Sequence, residues 1–217
     1  MSKPVLYGPT YSTYTRSARM AMEEKGVKYD LVDVDLMKGQ MPPEQMQRHP
    51  FGRVPAFEHD GFKLYETAAI TRYIDETFDG PALQPKDAKG RARMNQILSI
   101  IDCYAYPCTI SQLVIQRIVM PMMGEKANET VIKKALPEVA KCMVEFDRLR
   151  GKSKYLVGDS LTLADIHLAP VYEYFHNTPD SEAIRRDVPG LDKWWKEMST
   201  RSSMRRTPFS GEKKTAA

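Results

Sequence analysis

Cysteine and histidine are scarce: the 217 residues hold three of the first and four of the second. An odd count of three does not suggest a disulfide framework. Cys103 and Cys108 lie about 140° apart around a helix, so they share no face for a metal. His167 and His176, nine residues apart, point opposite ways. No metal is therefore expected, and a reducing cytoplasm fits the cysteine usage. No apolar run approaches 18 residues, which argues against a membrane span. "MSKPVLYGPT" lacks the apolar centre of a secretion signal, so Asn128 in "NET" is not expected to carry a glycan. Also absent are G-x-G-x-x-G, the P-loop, G-x-S-x-G and H-E-x-x-H.

Net charge is +4, and the segment from Arg201 onward, with five Lys/Arg and one Glu, carries all of it. The remainder is neutral overall, whereas a nucleic-acid binder carries its basic face on the folded body. No nucleic-acid partner is expected. Residues 206–217 read as a flexible basic tail.

The hydrophobic fraction of 42% is ordinary for a globular chain. Patterning divides it in two. Residues 1–80 alternate strand and helix signals. "KPVLY" is a short buried strand, "TYTRSARMAMEEKG" a helix stopped by Gly26, and "KYDLVDVDL" a half-buried strand. "PPEQMQRH" gives one or two helical turns. "VPAFEHDGFKLY" is a hairpin around "HDG", and "ETAAITRYIDETF" a helix with Ile70, Tyr73, Ile74 and Phe78 on one face. The order is βαβαββα. "DGPALQPKD" is a linker, residues 81–88. Residues 89–205 read as all helix. The first element there is long and bent at Pro107. "ETVIKKALPEVAKCMVEFDRLRG" carries a stripe of Ile132, Val139, Met143 and Phe146, and Thr162 with Asp165 forms a capping box.

"YGPTYSTYTRSAR", residues 7–19, falls where the first strand ends and the first helix begins. Eight of its thirteen residues carry a hydroxyl, and none is Cys, His or an acid. The first domain resembles a thioredoxin fold, and "STYT", Ser12 to Thr15, occupies the place of Cys-x-x-Cys. Disulfide exchange needs a protein thiolate, so that chemistry is excluded. Any sulfur must arrive with a ligand.

With "HPFGRVPAF", "LYETAAITRYI" and "GDSLTLADIHLAP", the chain resembles the soluble glutathione transferases over almost its whole length. The likeness is strongest to the phi class and its bacterial serine-type relatives. The resemblance implies a thioredoxin-like glutathione-binding domain followed by an all-helical domain. It implies conjugation of the glutathione thiolate to small apolar electrophiles, with glutathione as co-substrate and a cytoplasmic, detoxifying role. The alternative is a binding or regulatory protein with weak or no catalysis. The donor to the sulfur is Ser12 by the phi-like spacing, with Tyr7 as rival. Glutathione would lie along Val54, which precedes a cis Pro55, with its γ-glutamyl carboxylate at Glu66 and Thr67. Arg53 stands where phi-type sequences usually have Gln. Lys38 and Gln40 would reach the glycine carboxylate, although "KGQMPPEQ" is a residue shorter than usual and lacks the common His-Lys pair. The electrophile would meet an apolar wall drawn from Tyr11, Tyr104, Cys108, Ile115, Met120, Met123, Tyr172 and Phe175. Each of these has helix core as its plain alternative. Phe51 sits where several classes place an aromatic key into a neighbouring subunit, which implies a homodimer. The plain alternative there is a loop aromatic folded onto its own domain.

Overall fold

The structure, a computed structural model, describes residues 2–36 and 40–208. It divides into two compact units, one of residues up to Leu83 together with those from Arg201, the other Gln84–Thr200.

The first unit is built on a four-stranded sheet of order β2-β1-β3-β4: β1 Val5–Tyr7, β2 Asp30–Val32, β3 Ala56–His59 and β4 Phe62–Tyr65. β1 pairs in parallel with β2, Leu6 opposite Leu31, and antiparallel with β3, Leu6 opposite Phe57. The β3–β4 turn has Asp60 at φ 50 and Gly61 at φ 79, the doubly left-handed geometry that matches strand twist in a two-residue hairpin. Helices α1 Thr13–Glu24, α2 Pro43–Arg48 and α3 Thr67–Thr77 complete the βαβαββα order. β2 is shorter than its alternating pattern, because it is an edge strand whose partner, β1, offers three residues.

Helix α1 is buried nearly all round, from Thr13 to Met22 apart from half-buried Tyr14. The reason is α10, Ser202–Arg206, which packs on α1 while α3 covers another side. Arg16 Nε donates to the Thr207 carbonyl at 2.8 Å, and Arg19 to that of Arg206 at 3.2 Å. Residues 201–208 therefore belong with the first unit, not with the helical domain of 89–205 expected from patterning. Most of the basic tail lies outside the described residues.

The second unit comprises α4 Ala88–Ile100, α5 Met120–Met122, α6 Glu129–Arg150, α7 Leu163–His176, α8 Ser181–Arg185 and α9 Pro189–Ser199. Between α4 and α5 the helix runs on through Ile101–Val119 with π-type winding, and Pro107 lies inside that stretch. Proline has no N–H for the ordinary i→i−4 bond, which suits it to a region where the ladder is already altered. The continuous run Ala88–Met122 is long and apolar enough to cross a membrane, contrary to expectation. Here it is a core element: Ile101, Ala105, Leu113 and Val114 are buried, and α6 and α7 pack on it. The stripe Ile132, Val139, Met143 and Phe146 on α6 is fully buried, and Gly151 caps that helix at φ 59.

At the start of α7 the buried Asp165 carboxylate accepts four hydrogen bonds. Thr162 N and Oγ1 reach Oδ2 at 2.8 and 3.0 Å, while Leu156 N and Trp194 Nε1 reach Oδ1, both at 2.8 Å. Burial pushes this carboxyl up, and the four donors oppose that.

Candidate active site

The β1–α1 corner turns tightly. A side chain at Gly8 would come within 2.4 Å of Thr15 Oγ1, so only glycine allows the strand to approach the helix this closely. Ser12 is the N-cap of α1, with extended φ −68 and ψ 126, and its Oγ accepts from Thr15 N at 3.3 Å. A hydroxyl also carries one donor hydrogen. The hydroxyl lies on a half-exposed side chain at the positive end of a 12-residue helix. The corner thus has the cap that its composition alone explains, and a hydroxyl that donates to no partner among the described residues.

Tyr7, the rival, ends β1 with its ring under the Arg48 guanidinium at 4.0 Å. Its ring face is engaged in packing on α2. Tyr11 is half-buried beyond the strand end. Burial raises its phenol, the Leu36 backbone N–H opposes this, and Asp35 and Asp33 add to the rise.

The second part of the site lies between α2 and α3. The Val54–Pro55 peptide is cis, Pro55 is buried and Val54 half-buried. Arg53 and Gln40 are exposed, while Lys38 lies outside the described residues. Glu66 is the N-cap of α3 at φ 70 and ψ 114, a left-handed conformation that a residue with a side chain rarely adopts. It makes no side-chain cap, and its carboxylate is 64% exposed. Buried Thr67 follows as the first helical residue, where N–H groups have no partner within the helix. Glu66 and Thr67 therefore stand at an anion-receptive helix start, with a carboxylate held beside it.

Two residues here were not singled out by sequence. Gln45, fully buried on α2, donates from Nε2 to the Arg53 carbonyl at 2.8 Å and so holds the loop that leads to Val54. His49 is buried behind Glu66, Nε2 to Oε1 at 3.9 Å. Its ring lies 4.8 Å from that of Tyr65 and 6.2 Å, edge-on, from that of Phe51. Burial lowers its pKa, with Arg53 contributing and Glu66 opposing. "HPFG" was the only signal, and it drew attention to Phe51. Phe51 itself is 70% exposed.

The candidate wall residues separate by burial. Tyr104 and Met123 are exposed, and Ile115 and Met120 half-buried. Tyr172 and Phe175 are fully buried, with rings 5.5 Å apart, and Tyr172 meets Trp194 edge-on at 5.6 Å. They are core of the helical unit and present no surface to a ligand. Cys108 is likewise buried, against Cys142 and Thr109. The Cys142 thiol, hydrogen-bonding to its sulfur, brings Cys108 down to about 7. Among the described residues, no group of three or more His, Cys, Asp or Glu could hold a metal ion.

A thioredoxin-like unit with a hydroxyl at the Cys-x-x-Cys corner, joined in sequence to an all-helical unit, defines a class of protein. Comparison with known proteins agrees. The profile of the glutathione S-transferase N-terminal domain matches residues 6–82, and that of the C-terminal domain residues 109–202. Glutathione S-transferase F10 of Arabidopsis thaliana is 31% identical over 91% of this chain and 93% of its own length. The crystal structure of glutathione transferase F7 from Populus trichocarpa superposes with a TM-score of 0.83 at 30% identity, covering 94% of this chain and 97% of that one. Glutathione S-transferase I from mais, in complex with an atrazine–glutathione conjugate, gives 0.81 at 25%, covering 95% and 96%. The chain belongs to the glutathione S-transferase family.

Proposed function

We propose that the protein is a glutathione transferase that joins the glutathione sulfur to small apolar electrophiles, with Ser12 as the donor to the thiolate. The observation that carries this is the place of the Ser12 hydroxyl, half-exposed at the start of α1, where its oxygen caps the helix and its hydrogen can turn to a ligand. A free thiol with a pKa of about 8.5 is only a few per cent ionised at pH 7. Lowering it by about 2 units takes roughly 2.7 kcal/mol, which a hydroxyl donor and the N-terminus of a helix can share. The thiol proton leaves to solvent. The sulfur lone pair then forms the bond to the electrophilic carbon, and the leaving group departs with its bonding electrons. The reactive fraction rises by only about 20- to 30-fold, so the remaining acceleration comes from holding the electrophile beside the sulfur.

In this reading glutathione lies along Val54, its γ-glutamyl carboxylate at the start of α3 by Thr67 and its ammonium at Glu66. Arg53, Gln40 and Lys38 serve the glycine end. Tyr11, Tyr104, Ile115, Met120 and Met123 are the wall residues with surface to offer, and methionine suits a promiscuous one. Exposed Phe51 enters a second copy to form a C2 dimer. Detoxification in the cytoplasm is the proposed setting.

The test is turnover of 1-chloro-2,4-dinitrobenzene together with retention on immobilised glutathione. Both are expected. Retention without turnover would leave a glutathione-binding module, and neither would overturn the reading.

A further inference from the structure

We propose that His49 is a proton-sensitive neighbour of Glu66, and that once protonated it competes with the γ-glutamyl ammonium for the Glu66 carboxylate and so weakens glutathione binding. This rests on the reading of the site given above and adds a proton to it.

The geometry is asymmetric. The His49 side chain is 3% exposed and the Glu66 side chain 64%, so one group is fixed behind the other. The 3.9 Å between Nε2 and Oε1 is too long for a hydrogen bond and short enough for strong charge coupling. The imidazole is held on its faces and edges by Tyr65 and Phe51. Nδ1 has no hydrogen-bond partner among the described residues. A ring so enclosed cannot move to solvent when it gains a proton. Glu66 starts α3 at φ 70, and its exposed carboxylate lies on the solvent side of the imidazole.

The charged and titratable groups around His49 are Glu66 after β4, Arg53 in the loop after α2, Tyr65 on β4 and Arg48 on its own helix. Arg48 is engaged on the Tyr7 ring. Glu66 is the group that favours a charged imidazole, while burial and Arg53 disfavour it. Near neutral pH the ring is therefore uncharged, and Glu66 is free to receive an ammonium. Below that, an imidazolium at 3.9 Å competes with the ligand's ammonium for the same carboxylate. Linkage requires the reverse effect as well: an ammonium at Glu66 must lower the pKa of His49.

The experiment uses S-methylglutathione, which has no thiol to titrate. Its carboxylates and amine also stay fixed between about pH 5.5 and 7.5. Calorimetric Kd should weaken by about three- to ten-fold from the upper to the lower pH, a coupling at the low end of the usual range. His49→Gln should bind at the upper pH within about three-fold of the wild type and show almost no slope. Glu66→Gln should bind weakly at both. An independent readout is the imidazole titration by NMR: one of the four histidines should titrate lower when S-methylglutathione is bound. This measurement stands if His49→Gln fails to fold. A flat wild-type Kd, an unchanged slope in His49→Gln, or no ligand-dependent histidine shift overturns the coupling and leaves the glutathione reading intact. Absence of binding by the wild type at either pH overturns both.

Discussion

The Glu24 carboxylate grips the Arg201 guanidinium with both oxygens, Oε1 to Nε at 2.9 Å and Oε2 to NH2 at 2.7 Å, across 177 residues of chain. The Ser203 hydroxyl joins at Oε1. This pair closes the seam between α1 and α10. Burial alone would raise the Glu24 carboxyl, but the bonds from Arg201 and Ser203 outweigh it and leave the pKa below its ordinary 4.5. A carboxylate with a depressed folded pKa contributes stability above its unfolded pKa and loses it as pH falls through the folded one. Glu24→Gln should therefore cost about 1–2 kcal/mol at neutral pH, as lost charge-assisted bonds do, and less at an acidic pH as the folded carboxyl takes up its proton. Urea melts of both proteins at the two pH values check this. An equal loss at both would show that the pair acts through shape, not charge.

Ser12 has two roles that substitution can separate. Ser12→Ala removes both the cap and the donor, and should cost about 0.5–2 kcal/mol of stability and one to three decades of kcat/KM. Ser12→Gly should restore most of the stability, since glycine is a fair N-cap, while activity stays low. Affinity for S-methylglutathione should barely change in either. Tyr7→Phe is run in parallel. If it alone loses activity, the donor is Tyr7.

Thr67→Ala should weaken glutathione binding by about ten-fold, because a hydroxyl contact to a full negative charge is lost from among several. Thr67→Ser should recover most of it. The thiol pKa of bound glutathione, followed by thiolate absorbance, should stay where the wild type has it. A shift as large as that of Ser12→Ala would mean that the ligand lies in another orientation.

Asp165→Ala leaves four buried donors without an acceptor, among them Leu156 N and Trp194 Nε1. A lone cap costs about 0.5–2 kcal/mol, and each stranded buried donor adds about 1–3. A loss of at least about 3 kcal/mol is expected, measured by chemical denaturation, with kinetic constants of the folded fraction unchanged. An altered KM for glutathione with an unaltered Tm would place Asp165 in ligand binding instead.

The sequence by itself determined what depends on near neighbours. The strand and helix order came from periodicity, the ends of α1 and α6 from Gly26 and Gly151, and the start of α7 from Thr162 and Asp165, because each signal and its cause lie within a few residues. The same holds for Ser12, whose place after a strand and before a helix is local. The cis Val54–Pro55 bond and the Glu66–Thr67 helix start followed from family likeness. Tertiary structure decided whatever depends on residues far apart in the chain. A stripe of Tyr172 and Phe175 reads the same whether it meets a ligand or Trp194, and only packing on α9 shows that they are core. Arg16 and Arg19 look like solvated charges on α1 until Thr207 and Arg206, more than 180 residues away, bring their carbonyls to them. His49 and Gln45 carry no motif. Their importance comes from the approach of α2 to Glu66 and Arg53, and no pattern along the chain encodes that distance.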